Sequence, residues 1–505
     1  MRSKASSAWL APAVLCALAA GPAFGAPCES LGKLALPHVT VTSAVEVAAG
    51  AFVPTGRGRG GAAFKNLPAF CRVAAMLQPS SDSEIQIEVW MPSTGWNGKL
   101  QSVGNGAWAG TISYPALGTA VTDGYAAAGT DTGHTGNNAN FVMGHPEKVV
   151  DFAYRSVHEM TVAAKAVVAA FYGNAPQRSY WNGCSTGGRQ ALAEAQRFPN
   201  DYDGIVAGAA ANYVTHLQGQ QVWIAEQAHL EEGGALPAET LALLHQAALE
   251  KCDALDGVKD GVIENPKACH FDPKTIACKE SGAPHCLTAA QVRLAEKIYA
   301  GPKNPRTGKA VFPGLEPGSE AGWNGLAGPE PMALAVETYQ YLVHQGGTWD
   351  FKTFDADRDV ALADKTVAAT MNSTDPDLQP FFSHGGKLLM YHGWADPGIA
   401  PQNSVNYYTS VVNRLGAAQT ADAVRLFMVP GMGHCRGGDG TDTFDAVGAL
   451  NRWVSTGRAP EQIVASRVRN GATDRTRPLC AYPQVAQYQG TGSTDDAASF
   501  ACKAP

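Results

Sequence analysis

The sequence contains no run of lysine or arginine, and its 38 basic residues are outnumbered by 45 acidic ones, a formal net charge of -7. It therefore lacks the electrostatic footprint that a phosphate backbone or an anionic lipid surface requires, and no nucleic-acid partner is expected. Charge of either sign is scarce, at 16% against 45% hydrophobic residues, the balance of a well-packed globular chain. Beyond the first thirty or so residues no apolar stretch is long enough to span a bilayer, and there is no internal repeat or low-complexity tract. The exception is N-terminal: Met1-Arg2-Ser3-Lys4, an apolar stretch from Ala8 to Ala20, then Ala23-Phe24-Gly25. That order predicts a signal peptide over 1–25, cleaved near Gly25 or Ala26. The product is then secreted or periplasmic, with no membrane attachment after processing.

Cleavage removes Cys16 from the 11 cysteines and leaves Cys28, Cys71, Cys184, Cys252, Cys269, Cys278, Cys286, Cys435, Cys480 and Cys502. An even set in an oxidising compartment predicts five disulfides. Counting alone permits about 945 pairings, so spacing must choose. It favours Cys252 with Cys269, Cys278 with Cys286, and Cys480 with Cys502.

A chain of 505 residues exceeds what one core usually fills, so two or three units, or one large domain with an insertion, are expected. Alternating apolar runs at Ile85–Trp90 and Leu100–Val103 read as strands ending in the turn Gly104-Asn105-Gly106. Another strand is expected over Gly124–Gly129 and a helix from Val150 to Tyr172. A strand over Ser179–Asn182, a helix over Gly188–Arg197 and a strand over Asp203–Gly208 follow. This is the α/β rhythm. It stops near Ala209, where Pro and Gly clusters interrupt the pattern. It returns at Lys387–His392 and Val424–Val429. The expected organisation is a catalytic α/β domain in two parts, 26–210 and 375–505, around an inserted lid domain over 211–374.

Gly183-Cys184-Ser185-Thr186-Gly187 fits the Gly-x-Ser-x-Gly nucleophile elbow, in which glycines permit a strained strand-to-helix turn that exposes the serine. In a chain with 55 glycines the pentapeptide alone is weak. The elbow also demands an acid and then a histidine, on loops after later strands. Asp396 follows the strand ending at His392, and His434 follows the strand ending at Val429. His434 is the expected base and Asp396 the group that orients it. His134, His384 and His392 compete for the first role. Asp442 and Asp445 are weaker acids because they follow the histidine. Cys184 precedes the serine and Cys435 follows the histidine, so side chains in hydrogen-bonding reach bring the adjacent backbones within disulfide range. A bridge between Cys184 and Cys435 would staple the site. The oxyanion hole is expected from the amide of Thr186 with that of Gly106 or Ala107.

Between Cys252 and Val262 the carboxylates of Asp253, Asp256 and Asp260 stand among two glycines. Oxygen donors at that density suit Ca²⁺, with Val258 and Val262 contributing carbonyls. The spacing is not that of an EF-hand, and an acidic solvated turn is the plainer alternative. Its sequence distance from the serine points to a structural role.

With these residues in place the chain resembles the tannase/feruloyl esterase family, an α/β-hydrolase group with a large lid that also includes mono(2-hydroxyethyl) terephthalate hydrolase. Cys184-Ser185, Asp396 and His434-Cys435 carry the resemblance, which runs over nearly the whole mature chain. It implies a serine carboxylesterase with an α/β-hydrolase fold, a structural Ca²⁺ on the lid loop, and a Cys28–Cys71 disulfide beside the three local ones. The implied substrate is a small aromatic ester, free or linked to a plant polymer. Thr186 stands where the terephthalate-monoester branch has an acidic residue, Ile399 stands where it has an aromatic one, and the insertion looks short. These departures favour feruloyl or galloyl esters over a terephthalate monoester. A calcium-dependent binding protein on an inactive hydrolase fold is the alternative of another class, and the complete set of Ser, Asp and His argues against it.

Overall fold

The computed structural model describes residues 25–54, 64–280 and 285–505. The expected signal peptide therefore lies outside the described residues except at its last position. None of the helices described is long and apolar enough to cross a membrane.

One large sheet organises the chain. Its strands are β1 (Val39–Val47), β2 (Phe70–Leu77), β3 (Ile85–Pro92), β4 (Lys99–Val103), β5 (Ala126–Thr130), β6 (Arg178–Cys184), β7 (Gly204–Gly208), β8 (Lys387–Gly393) and β9 (Val424–Val429). Their spatial order is β1-β2-β3-β5-β4-β6-β7-β8-β9. Pairing is antiparallel from β1 to β5 and parallel from β5 through β4 to β9. From β4 the chain moves outward to β5, then crosses back to β6 on the other side. Such a reversal opens a crevice at the carboxyl ends of the two strands, where α/β proteins bind ligands.

The parallel strands are largely buried on both faces, which is why β5, β7, β8 and β9 read as short, nearly continuous apolar runs. Ile205, Leu388, Met390 and Leu426 enter one core with Val157, Met160 and Leu192. Their neighbours Val206, Leu389 and Phe427 enter the opposite core with Leu117, Leu450 and Trp453. Helices Ser156–Tyr172 and Thr186–Arg197 cover the first face, and Tyr114–Thr122 and Ala446–Thr456 cover the second.

Three expected elements are shifted. The helix expected from Val150 contains a π turn over Asp151–Arg155 before regular geometry resumes at Ser156. The carbonyls of Phe152 and Ala153 in that turn accept from the buried Arg189 guanidinium. The strand expected from Gly124 begins at Ala126, because Gly124 sits at φ +80° in the turn that closes the preceding helix. The helix expected from Gly188 begins at Thr186, directly after the elbow serine.

Residues 209–386 interrupt the sheet between β7 and β8. Among the described residues they form helices, chiefly Val214–Leu230, Ala238–Cys252, Ala289–Ala300 and Arg358–Thr366, with no more than isolated β-bridges. One apolar cluster there gathers Leu244, Ile298 and Trp323 with Ile399 and Ala400 from the loop after β8. Another joins Tyr339, Phe354 and Val360 to Trp108 and Phe152. The insertion thus packs on the loops that leave β4 and β8. Towards the C-terminus β10 (Gln462–Arg469) and β11 (Ala472–Cys480) pair as an antiparallel hairpin.

Candidate active site

Ser185 sits at the turn between β6 and helix Thr186–Arg197 with φ +65° and ψ -120°. A non-glycine residue held there stores strain that its surroundings must over-determine. They do so by close backbone approach. A Cβ on Gly183 would lie 2.5 Å from the Gly187 carbonyl oxygen, and one on Gly104 would lie 2.6 Å from Gly187 Cα. The elbow and the loop after β4 can meet only because these positions lack side chains.

His434 Nδ1 lies 2.7 Å from Asp396 Oδ2, and both side chains come from loops at the carboxyl ends of the last two parallel strands. Asp396 is fully buried. Its other oxygen accepts from the amides of Gly398 and Ile399 at 2.8 and 2.9 Å. Burial alone would raise its pKa, but the charge of His434 and the hydrogen bonds from His392 and His434 outweigh that and hold it well below the usual carboxylate range. For His434 burial opposes the charged form, and the Asp396 carboxylate more than compensates, so its pKa is raised. Ser185 and His434 line the same cavity, and among the described residues no hydrogen bond joins their side chains. Such bonds are often long before substrate binds.

The competing groups have other duties. His134 is stacked on Phe141 and pairs with the Trp108 carbonyl at 2.7 Å. His384 reaches the Pro199 carbonyl on the surface. Asp445 caps helix Ala446–Thr456, and Asp442 accepts from the amide of Gly437. His392 is different: fully buried, it places Nε2 3.0 Å from Asp396 Oδ2 and Nδ1 2.7 Å from Ser404 Oγ. Asp396 therefore stands between two histidines, a feature that sequence reasoning treated only as competition. The signal was the spacing of four between His392 and Asp396 across the strand end.

Thr186, Gly106 and Ala107 line the same cavity as Ser185. Among the described residues their three amides donate no hydrogen bond, so they are free to meet a developing oxyanion. Ala107 has φ +47°, and its carbonyl accepts from Thr186 Oγ1 at 3.0 Å. Asn105 anchors the loop: its carbonyl accepts from the Gly187 amide at 2.8 Å, its Oδ1 accepts from Gln190 Nε2 at 3.1 Å, and its amide donates to Gln190 Oε1 at 3.1 Å. The sequence reading missed Asn105 and Gln190, although an Asn between two glycines after a strand marks an anchored turn.

Among the described residues five disulfides join Cys28–Cys71, Cys184–Cys435, Cys252–Cys269, Cys278–Cys286 and Cys480–Cys502. The second, with 6.1 Å between Cα atoms, ties the residue before Ser185 to the residue after His434.

In the acidic loop both oxygens of Asp253 accept from the amides of Asp260 and Gly261 at 3.0 Å, and Asp256 accepts from that of Val258. Asp260 pairs with Arg475 and Arg477 of the C-terminal hairpin. Burial first, then the charges of Asp260 and Asp253, raise the Asp256 pKa. The carbonyls of the buried Val258 and Val262 accept no hydrogen bond among the described residues. Unpartnered carbonyls beside mutually repelling carboxylates fit a hard cation. The side-chain oxygens of the three aspartates do not draw together as tightly as a closed cage would require. The loop also packs near the His434 turn: a Cβ on Gly431 would meet Val262 Cγ1 at 3.0 Å.

The cavity holding Ser185 and His434 has a volume of about 450 Å³, within the range of small-molecule sites. Trp108, Phe152, Leu217, Met332, Met371 and Ile399 give it apolar walls. A half-parallel sheet carrying a serine elbow, with an acid and a histidine on later strand ends, defines an α/β-hydrolase. The family model for tannase and feruloyl esterase matches residues 71–503, so the chain belongs to that family and is a carboxylesterase. It is 38% identical to an uncharacterized esterase of Xanthomonas campestris pv. campestris, covering 94% of this chain and 91% of the relative. It is 34% identical to a probable feruloyl esterase B-2 of Aspergillus terreus, covering 96% and 97%. The crystal structure of feruloyl esterase B from Aspergillus oryzae superposes with a TM-score of 0.88 at 31% identity, over 94% of this chain and 99% of that one. The tannin acyl hydrolase from Aspergillus niger gives 0.78 at 25% identity, over 96% and 94%.

Proposed function

We propose that the chain hydrolyses the ester between an aromatic acid and an alcohol through an acyl-enzyme on Ser185, with feruloyl-type esters preferred and galloyl esters second. The observation that carries the reading is the Asp396–His434 pair at 2.7 Å, opening onto the same apolar cavity as the strained Ser185. In the first half-reaction Ser185 Oγ attacks the ester carbonyl carbon while His434 Nε2 takes the hydroxyl proton. The amides of Thr186 and of Gly106 or Ala107 hold the oxyanion. Collapse expels the alcohol, which receives the proton from His434. Water then attacks the acyl group with His434 again as base, releasing the acid and restoring Ser185. Asp396 keeps the proton on Nδ1 and stabilises the imidazolium.

The apolar cavity wall, which includes Trp108 and Phe152, accords with an aromatic acyl group, and Thr186 and Ile399 favour a feruloyl or galloyl ester over a terephthalate monoester. Residues 211–374 act in this reading as a lid over the strand ends. Asp253, Asp256 and Asp260 with the carbonyls of Val258 and Val262 would hold one structural Ca²⁺, which would supply cross-linking charge to the loop and no chemistry to the ester. Five disulfides accord with export to an oxidising compartment. The deciding experiment is a hydrolysis panel of methyl ferulate, methyl gallate and a terephthalate monoester, run beside Ser185→Ala. Methyl ferulate is expected to be fastest, and a serine-reactive phosphonate should label wild type but not the variant. Negligible rates on all three esters would overturn the substrate class, and absence of labelling would overturn the serine mechanism.

A further inference from the structure

Helix Val214–Leu230 presents Val214, Leu217, Gln218 and Gln221 to the cavity, the i, i+3, i+4, i+7 face of a helix. Packing against apolar walls would be served by apolar residues at all four positions. Two are glutamines instead, each nearly inaccessible to solvent. The side-chain oxygens of both have no hydrogen-bond partner. The orientation of Gln221 is fixed, since its Nε2 donates to the Gly398 carbonyl at 2.6 Å, two residues beyond Asp396. The unpartnered atom of Gln221 is therefore the acceptor. A buried acceptor left unpaired is costly, and a native structure that keeps two of them in one ligand cavity has a use for them. Arg189, which also lines the cavity, directs its guanidinium to the carbonyls of Ala153 and Phe152.

We propose that Gln218 and Gln221 are specificity residues that accept a hydrogen bond from a phenolic hydroxyl on the bound aromatic ring. The inference rests on the aromatic-acid ester reading and deepens it. Acceptors without a donor on the ligand stay unsatisfied, so the pair selects hydroxylated rings over bare or fully methylated ones. Gln220 supplies an internal comparison. Its side-chain oxygen is equally buried and unpartnered, but its amide donates to the Pro313 carbonyl and it does not line the cavity.

The test compares kcat/KM for methyl 4-hydroxycinnamate and methyl cinnamate in wild type, Gln218→Met, Gln221→Met and Gln220→Met. Wild type should favour the hydroxylated ester by roughly tenfold or more, the scale of one hydrogen bond. Gln218→Met or Gln221→Met should bring the ratio of the two esters towards one, whatever the absolute rates, and Gln220→Met should leave the ratio as in wild type. Competitive inhibition of wild type by 4-hydroxycinnamate and by cinnamate needs no variant and should show the same preference. Equal inhibition by the two acids, or an unchanged ratio in both cavity variants, overturns the inference while leaving the esterase reading intact. No wild-type turnover of either ester overturns the aromatic-acid reading and this inference with it.

Discussion

Removing the Cys184–Cys435 bridge by the double substitution Cys184→Ala, Cys435→Ala should damage catalysis far more than it damages the fold. The two cysteines are 251 positions apart, and the chain-entropy relation for a loop of that length gives about 5.5 kcal/mol as an upper figure. The loop already encloses the Cys252–Cys269 and Cys278–Cys286 bridges, and measured values usually fall short of the relation, so about 3 kcal/mol is expected. Unfolding entropy near 2 cal/mol/K per residue makes this a fall in Tm of only about 3 °C for a chain of this size. Catalysis depends on position instead. Ser185 and Cys435 both have positive φ, at +65° and +64°, and the bridge is the covalent link that holds the two turns together. A displacement of about 1 Å between nucleophile and base costs on the order of 100-fold in rate. The assay is kcat/KM on methyl ferulate at 25 °C, beside calorimetry of the same samples. A variant with a small fall in Tm and full activity would refute the positional role. One that fails to fold would show that the bridge is mainly a stability element.

Asp396→Asn should lower kcat on the order of 10⁴-fold with little change in KM, because the amide no longer stabilises the imidazolium; stopped kinetics on methyl ferulate checks this. The kcat/KM of wild type should rise with pH along a limb whose midpoint lies above 6.5, since His434 acts as base only when neutral and Asp396 raises its pKa. A midpoint below 6.5 would contradict the pairing. In stability the pair works from both sides. The raised His434 contributes fully below 6.5 and loses its contribution as pH rises through its folded value. The lowered Asp396 contributes above 3.8 and loses it as pH falls through its own. Urea unfolding at several pH values should therefore show the contribution of the pair greatest between those limits. His392→Phe removes the second donor to Asp396 Oδ2 and should cost about 2 kcal/mol, read as a lower urea midpoint. Chelation is expected to lower Tm and activity together, with recovery on adding Ca²⁺, because Val262 packs against the Gly431 turn that leads to His434.

Much of the architecture is legible in the sequence because it depends on local pattern. The doubly buried strands read as short apolar runs, and the elbow reads from glycines that allow Gly183, Gly187 and Gly104 to meet within van der Waals limits. Chain order sets Ser185, Asp396 and His434 apart as candidates, since each follows a strand and parallel strands end on one side of the sheet. The π turn at Asp151–Arg155 is not legible, because its carbonyls face Arg189 on another element.

Residue order alone sets which residue types stand at strand ends and in what succession, since periodicity and turn chemistry act over a few neighbours. Long-range packing is what makes His392 and His434 share Asp396. It also dictates that Asn105 is clamped by Gln190, that Asp260 is met by arginines more than 200 positions away, and that two glutamines face an apolar cavity. These contacts join segments whose separation along the chain carries no local signature. Their partners are chosen by packing and by the need to satisfy buried polar groups once the sheet has brought the loops together.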